Sequence, residues 1–262
     1  MSAAAAIQAG WPTVSALVRR SANELLRVPG AAIPGVLAPT IFFIGLTSVF
    51  AELTELRGFG TDNYQSFLIP VSLLQGAGFT GAATGVNLAR DIEQGWFDRL
   101  LASPAPRPAI LAGLVFSASV RALIPAVVLL SVAFAVGADW PGALGLLVTF
   151  VGVMAMGTVA ALYGCALALR FRTQAAAPLM QAGMFVLVLM TTSYAPRELL
   201  DGWLQTASDI NPVTQVIEMT RQGFVTGAVT WGETWPGLLA LAGLIAIFAA
   251  LALRGMRKMA DQ

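Results

Sequence analysis

The residue types that usually perform catalysis are scarce in this chain of 262 residues. It contains no histidine, one cysteine (Cys165) and one lysine (Lys258). A histidine-dependent catalytic triad, a histidine-ligated metal site and a histidine pH switch are therefore excluded. A single cysteine likewise excludes a disulfide within the chain and a cysteine metal cluster.

Two nucleotide-binding motifs can be judged from residue spacing. A phosphate-binding GxxxxGK[ST] loop needs a lysine, and Lys258 is followed by Met259, so this sequence contains no P-loop. Residues 76–81 match the GxGxxG pattern of dinucleotide sites, but they lie in an apolar stretch without an acidic residue at the required distance. Any ATP-driven work must therefore use another polypeptide, and no metal or other cofactor is expected on this chain.

The overall composition indicates the environment of the fold. Hydrophobic residues make up 57% of the chain, charged residues only 11%, and the mean hydropathy is +0.76. The charged share is about half that of a soluble domain. A net charge of +1 provides no general attraction to nucleic acid. These values are typical of a helical membrane protein that crosses the bilayer several times.

Apolar stretches long enough for the bilayer divide the chain. About 20 apolar residues are needed for each helical span. Five windows contain no Asp, Glu, Lys or Arg, and a sixth is interrupted only by Arg121. We therefore expect residues 1–262 to form one all-α membrane domain with six spans, near residues 32–51, 65–88, 116–137, 142–169, 174–194 and 234–253.

Arg121 has two interpretations in this scheme. With the third span starting near residue 116, Arg121 lies roughly one helical turn from its inner end. It is then either an interface anchor whose side chain reaches the headgroups, or a buried group that pairs with a partner or a substrate.

Basic residues predict the orientation of the spans. With the N-terminus inside, the inner segments carry eleven basic residues and the outer segments three. The inner ones are Arg19, Arg20, Arg27, Arg90, Arg99, Arg107, Arg170, Arg172, Arg254, Arg257 and Lys258; the outer ones are Arg57, Arg197 and Arg221. This excess predicts that both termini are cytoplasmic.

The first 28 residues carry a different pattern. Apolar residues recur at helical spacing from Val14 to Val28, with Pro12 at the start and arginines between them. We expect residues 12–28 to form an amphipathic helix on the membrane surface. A plain solvated helix is the alternative.

The predicted spans contain neither Asp nor Glu. Ion-coupled carriers usually need a carboxylate at membrane depth, so secondary transport is disfavoured, as is a membrane-embedded hydrolase. The spans are instead rich in small residues that let helices approach closely, among them Gly81, Gly85, Gly157 and Gly164. These faces are candidates for contact with a second permease chain.

The inner loop over residues 90–104 is the most informative segment. Its apolar residues share one broad helical face, while Asp91, Asp98 and Arg99 lie largely on the other. Glu93 falls on the apolar face, which suggests a specific partner, and Pro104 ends the pattern. We expect a cytoplasmic helix here, either docked on a partner or lying at the interface without one.

This loop resembles the cytoplasmic loop of the ABC type-2 permease family. The matching positions are Arg90, Asp91, Glu93, Gly95, Asp98, Arg99, Leu100, Pro104 and Arg107. The resemblance implies that residues 90–104 form the coupling helix that docks on an ATP-binding-cassette subunit. Trp96, Phe97 and Leu100 would then pack in the ATPase groove, with Asp98 and Arg99 fixing the register.

A second segment, residues 194–214, is similar to the stretch between the fifth and sixth spans of that family. The similarity rests on Pro196, on Gly-Trp-Leu at 202–204 and on Asn211-Pro212-Val213-Thr214. This residue pattern most resembles that of daunorubicin-resistance drug exporters. It implies short external re-entrant helices over residues 195–225 that shape an outer gate.

The residues of this segment also support helices directly. Asn211 can cap a helix whose first residue is Pro212, and Glu218 and Arg221 can pair one turn apart. The candidate gate residues are Pro196, Trp203, Asn211, Pro212 and Thr214. An amphipathic surface helix without a gating role is the alternative.

The family resemblance implies the membrane subunit of a multidrug-type exporter, a multi-pass protein of the bacterial cytoplasmic membrane. It would work with two ATPase subunits that carry ATP and Mg, and with a second permease copy or a sister permease. An apolar or amphipathic drug, metabolite or lipid fits the sparsely charged spans, with candidate pathway residues Phe42, Phe43, Phe79, Met184, Phe185 and Arg121. These side chains could equally pack the bundle.

Three other functions stay open. The first is an exporter of the same family for a glycolipid or polysaccharide. The second is a carrier or channel that works without ATP. The third is a membrane regulator that binds an ATPase and transports nothing.

Overall fold

The computed structural model describes residues 3–27, 33–55 and 61–260. The regular structure of these described ranges is helical throughout. Their α-helices are α1 Ala3–Arg27, α2 Ile33–Phe50, α3 Tyr64–Glu93, α4 Trp96–Leu101, α5 Arg107–Arg121, α6 Leu123–Ala135, α7 Gly142–Phe171, α8 Ala177–Leu189, α9 Gly202–Ile210, α10 Pro212–Thr226 and α11 Trp231–Ala260. Short 3₁₀ turns lie at Ala51–Glu55, Gln174–Ala176 and Arg197–Leu199.

Four segments are long and apolar enough to cross a membrane. They are Tyr64–Glu93, Arg107–Ala135, Gly142–Phe171 and Trp231–Met259. Two shorter apolar segments, Gly35–Phe50 and Gln174–Leu189, correspond to the predicted first and fifth spans. The chain is thus a helical, multi-pass membrane protein.

Helix α3 is the centre of the bundle, with 83% of its most apolar stretch buried. It packs most extensively on α7, where glycines let the two backbones approach. A Cβ atom at Gly81 would lie 2.5 Å from the carbonyl oxygen of Gly157, and one at Gly85 would overlap the backbone of Gly164. The predicted role of these four glycines in close helix packing is therefore confirmed, but they join helices of the same chain rather than a second permease.

The third span differs from its predicted position. It begins at Arg107 rather than near residue 116, because Pro106 caps the helix and Pro108 lies in the first turn, where a missing backbone N–H is tolerated. The helix breaks at Ala122, between α5 and α6, just before Pro125. Arg121 therefore lies near the middle of the segment Arg107–Ala135, not one turn from its inner end.

Helix α1 begins at Ala3, before the predicted start at residue 12, and Pro12 lies inside it. Val28, the predicted end, is outside the described residues. Leu17 is 7% exposed and lies over Gly113 of α5, where an added Cβ atom would come within 2.8 Å of a Leu17 methyl carbon. The N-terminal helix is thus packed along α5 through a small-residue contact.

Candidate functional site

The inner loop does not form one helix. Helix α3 continues to Glu93, and Gly95 then adopts a left-handed conformation with φ of 68° before α4 begins at Trp96. Glycine adopts this conformation without the strain of a side chain. The prediction of a single helix over residues 90–104 is therefore wrong: the segment is the end of a span followed by a short helix at a new angle.

Asp91 is anchored to the N-terminal helix. It is 8% exposed, and its two carboxylate oxygens each accept a hydrogen bond of 2.9 Å from the guanidinium of Arg20. The same guanidinium lies 3.8 Å from the centroid of the Trp96 ring. One arginine therefore connects α1, the C-terminal end of α3 and the start of α4.

Glu93 is held by the loop that follows α7. Its carboxylate accepts hydrogen bonds from the Thr173 hydroxyl at 2.7 Å and from the backbone and side-chain N–H groups of Gln174 at 2.9 and 2.7 Å. Arg90 donates to the same glutamine side chain at 3.3 Å. These contacts within the chain account for the place of Glu93 on the apolar face, while its side chain stays exposed and its contact with another protein stays a prediction.

Helix α4 has a buried face and a free face. Phe97 is 1% exposed, so its expected insertion into an ATPase groove is wrong, and the ring instead holds α4 against its own bundle. Trp96 and Leu100 are half-buried. Asp98 and Arg99 are exposed, and Asp98 lines a cleft of about 580 Å³ with Arg107 of α5 and Arg172. The accessible part of the predicted coupling segment is thus polar.

The external segment contains the predicted helix cap. Pro212 is the first residue of α10, and the Asn211 side-chain oxygen accepts a hydrogen bond of 3.0 Å from the backbone of Val213, which confirms the cap. The Asn211 amide also donates to the carbonyl oxygens of Leu187 and Met190 at 2.7 and 2.8 Å. This residue therefore joins α10 to the C-terminal end of α8.

The other predicted gate residues are Thr214, Pro196 and Trp203. Thr214 donates to the carbonyl oxygen of Ser208 at 2.6 Å and so joins α10 to α9. Pro196 precedes the turn Arg197–Leu199, and Trp203 of α9 is 70% exposed. The structure thus brings Asn211, Pro212 and Thr214 together and leaves Trp203 on the surface.

Arg197 and Asp209 support this external segment. The guanidinium donates to both carboxylate oxygens at 2.6 and 2.7 Å. These hydrogen bonds hold the pKa of the Asp209 carboxyl below its ordinary value. The pair joins the turn before α9 to the end of that helix.

Arg221 is a central residue that the sequence pattern revealed only in part. Its predicted pairing with Glu218 is confirmed at 2.8 Å, but the residue is also buried, at 4% exposure. The guanidinium donates to the carbonyl oxygens of Thr192 and Phe67 at 2.7 and 3.3 Å and lies 3.8 Å from the Phe67 ring centroid. Arg221 follows the apolar Ile217 by four residues, which places both on the same face of the helix. This spacing is the sequence feature from which its burial could have been predicted.

The candidate pathway residues divide into two groups. The rings of Phe42 and Phe79 lie 6.4 and 6.1 Å from the ring of Phe185, so partly exposed aromatic side chains of α2, α3 and α8 meet. Phe43 and Met184 are 0% and 2% exposed. These two residues pack the interior of the bundle in this conformation, whereas the three rings offer an apolar surface.

Arg121 lines a small cavity between α1, α3 and α5 that has both polar and apolar walls. Its guanidinium donates to the Thr84 hydroxyl at 2.9 Å, and the cavity, of about 30 Å³, is also lined by Asn87, Ser117 and Arg20. A space of this size holds a few water molecules at most. Arg121 is half-buried and bonds to its own chain, so the structure shows neither the interface anchor nor a pairing with a partner or a substrate.

Comparison with known proteins identifies transporter permeases as the relatives of this chain. The sequence model of the family described as ABC-2 type transporter matches residues 12–225. The daunorubicin resistance ABC transporter permease protein DrrB1 of Streptomyces coeruleorubidus is 26% identical over 227 residues, which cover 84% of this chain and 77% of that protein. A protein of Cyanophora paradoxa named as a transport permease, ycf38, is 29% identical over 214 residues, or 78% of this chain and 71% of its own length.

A third relative covers a smaller share of its own length. The protein named "Probable multidrug ABC transporter permease YbhR" in Escherichia coli K12 is 26% identical over 190 residues, which are 69% of this chain and 50% of that protein. The family match spans most of the helical bundle described above, including α3, the broken inner loop and the capped external helix. The chain therefore belongs to the ABC-2 type transporter family of membrane permeases.

Proposed function

We propose that this chain is the permease subunit of an ATP-driven exporter, with six spans and both termini in the cytoplasm. It would work with two ATPase subunits, which carry ATP and Mg, and with a second permease copy or a sister permease. Family membership, four long apolar segments and two shorter ones support this proposal. The excess of arginine on the predicted inner side supports the orientation.

The observation that carries the proposal is the construction of α4. Its free face presents Asp98 and Arg99, while Phe97 is buried in the bundle and Trp96 lies under Arg20. A short helix fixed in this way cannot be displaced by a partner without moving the elements attached to it. We therefore assign the Asp98–Arg99 face as the contact with the ATPase subunit.

The attached elements define how movement would spread. Asp91 and Arg20 connect the loop to α1, and Glu93 connects it to Thr173 and Gln174 after α7. Closure of the ATPases on ATP would displace α4 as a rigid body, and these bonds would pass the movement to α3, α1 and α7. The binding of ATP by the partner supplies the free-energy difference between the inward-facing and outward-facing states.

The proposed cargo is an apolar or amphipathic compound that leaves the cytoplasm. The cluster of Phe42, Phe79 and Phe185 offers an apolar surface at the junction of α2, α3 and α8. The names of two relatives refer to daunorubicin resistance and to multidrug transport, and they support a drug-like cargo for this chain.

The test is co-purification from native membranes in mild detergent. The wild-type chain is expected to bring down a P-loop ATPase, and the charge-swapped variant Asp98→Arg/Arg99→Asp is expected to lose it. The matched control is Arg197→Asp/Asp209→Arg, which exchanges an exposed ion pair on the proposed outer side and should retain the ATPase. If the wild-type chain comes down alone, or only with itself, the proposal fails and an ATP-independent carrier becomes the better explanation.

A further inference from the structure

A large basic cleft lies between the inner ends of α7 and α11. Its volume is about 820 Å³, and we refer to it as the α7–α11 cleft. Its five cations are Arg170, Arg172, Arg254, Arg257 and Lys258. Its remaining lining is mostly apolar and includes Leu167 of α7 and Leu251 of α11.

The cations of the cleft lack a counterion among the residues that the structure describes. The ion pairs over the described ranges involve other arginines, and no side chain of the five cations makes a hydrogen bond with another described residue. Asp98 shares a neighbouring cleft with Arg172, and Asp261 follows outside the described residues. Even with both carboxylates, cations remain in excess, so the cleft attracts an anion.

The arrangement along α11 pairs apolar surface with positive charge. Ile247, Leu251, Arg254 and Lys258 follow one another at spacings of four, three and four residues, which places them on one face of the helix. Ile247 is 57% exposed and Leu251 46% exposed. On α7, Leu167 precedes Arg170 by three residues in the same manner. Both helices therefore present apolar side chains on the bilayer side of the cations.

Arg172 adds a feature of the backbone. It caps α7 in a left-handed conformation, with φ of 57°, the only residue other than glycine with positive φ in the described part of the chain. Arginine adopts this conformation at some cost in strain. The turn places Arg172 in the lining of the cleft.

We propose that the α7–α11 cleft binds an anionic phospholipid of the inner leaflet. The phosphate would lie among the arginine guanidiniums, whose forked donors match phosphate oxygens, and the acyl chains would lie along Leu167, Leu251 and Ile247. Basic pockets between membrane helices on the cytoplasmic side favour such headgroups. The exposed apolar face of α11 favours a lipid over a soluble phosphate compound. This inference does not depend on the cargo or on the ATPase.

Binding of defined lipids to the purified full chain tests the proposal. Delipidated protein in detergent is titrated with phosphatidylglycerol or with phosphatidylcholine of the same acyl chains, and bound lipid is counted by native mass spectrometry. Phosphatidylglycerol is expected to bind at least tenfold more tightly than phosphatidylcholine. The variant Arg254→Gln/Arg257→Gln is expected to bind it about 30-fold more weakly than wild type, which corresponds to the contribution of two basic residues.

Two control variants separate this site from general charge. Arg254→Lys/Arg257→Lys keeps both charges and should retain most of the binding, and Arg19→Gln removes an exposed charge outside the cleft and should leave the affinity unchanged. Folding of each variant is checked by its thermal unfolding in the same detergent.

Several results would overturn the proposal. Equal affinity of wild type for the two lipids, or equal affinity of wild type and the Gln variant for phosphatidylglycerol, would exclude a specific anionic-lipid site. Displacement of the lipid by soluble glycerophosphoglycerol at equal concentration would assign the cleft to a free phosphate compound. Loss of a co-purifying ATPase in the Gln variant, with lipid affinity unchanged, would assign it to protein contact instead.

Discussion

Arg20 and Asp91 form an ion pair between α1 and the C-terminal end of α3. The Arg20 side chain is 40% exposed, but that of Asp91 is only 12% exposed. Removal of the arginine would leave a carboxylate largely shielded from water without its main partner, which costs more than the loss of a surface ion pair. The pair should therefore contribute measurably to stability, although one partner reaches solvent.

A double-mutant cycle measures that contribution. Arg20→Gln and Asp91→Asn, alone and together, are compared by thermal unfolding in detergent, and we expect a coupling energy of about 1–2 kcal/mol. The control is a second cycle that combines Arg19→Gln with Asp91→Asn. Arg19 is adjacent to Arg20 and exposed, so this cycle should give a coupling energy near zero. Additive effects of Arg20→Gln and Asp91→Asn would show that the bidentate pair adds nothing to the fold.

Sequence separation decides which residue contacts could be predicted. The Asn211 cap and the Glu218–Arg221 pair follow from rules that act within one helical turn, and both are present. Arg20 and Asp91 are 71 residues apart, and Phe67 and Arg221 are 154 apart. No local rule relates such positions, because the packing of the whole bundle brings them together.

At the scale of elements, α3 and α7 depend on their glycines. A methyl group at Gly81 would meet the Gly157 carbonyl oxygen at 2.5 Å, the Ala160 Cβ at 2.6 Å and the Ala161 nitrogen at 2.9 Å. These are backbone and short side-chain atoms that cannot rotate away. The helices must therefore separate to accept the methyl group.

The substitution Gly81→Ala is accordingly expected to destabilise the chain by about 1–3 kcal/mol, the usual range for overpacking. Gly45→Ala on α2 is the matched control, because an added Cβ there has no atom within 4 Å. That variant should be neutral or slightly more stable, since alanine favours helix. Thermal unfolding of both variants provides the comparison, and equal stability of the two would contradict the close α3–α7 packing.

Charge and hydropathy located the helices but misplaced several of their ends. Arg90 and Asp91 appeared to close the second span, yet α3 continues to Glu93 because these side chains bond to Gln174 and Arg20. The third span starts early because Pro106 occupies the N-cap position and Pro108 suits the first turn. A charged residue therefore marks the end of an apolar stretch in the sequence. The helix itself can continue through that residue when another side chain of the fold bonds to it.

At the scale of the whole molecule, α8 is the element on which the number of spans depends. The segment Gln174–Leu189 is helical over a length of roughly 24 Å. The hydrocarbon core is about 30 Å thick. Beyond Leu189 the backbone is irregular, but Asn211 binds the carbonyl oxygens of Leu187 and Met190, and Arg221 binds that of Thr192. Irregular backbone is tolerated at membrane depth when protein groups satisfy it, so these contacts allow a short helix to complete the crossing.

Sidedness of three positions tests this crossing. In a Cys165→Ala background, single cysteines replace Ala102, Thr206 and Lys258, all of which are exposed, and intact cells are treated with a membrane-impermeant maleimide. Six spans with both termini inside predict labelling at position 206 alone, with 102 and 258 labelled only after permeabilisation. If α8 does not cross, α11 must run in the opposite direction, so 206 would share the side of 102 and 258 would lie opposite. The position of 258 relative to 102 therefore decides between the two arrangements, because only a crossing by α8 returns the basic inner ends of α7 and α11 to the same side of the membrane.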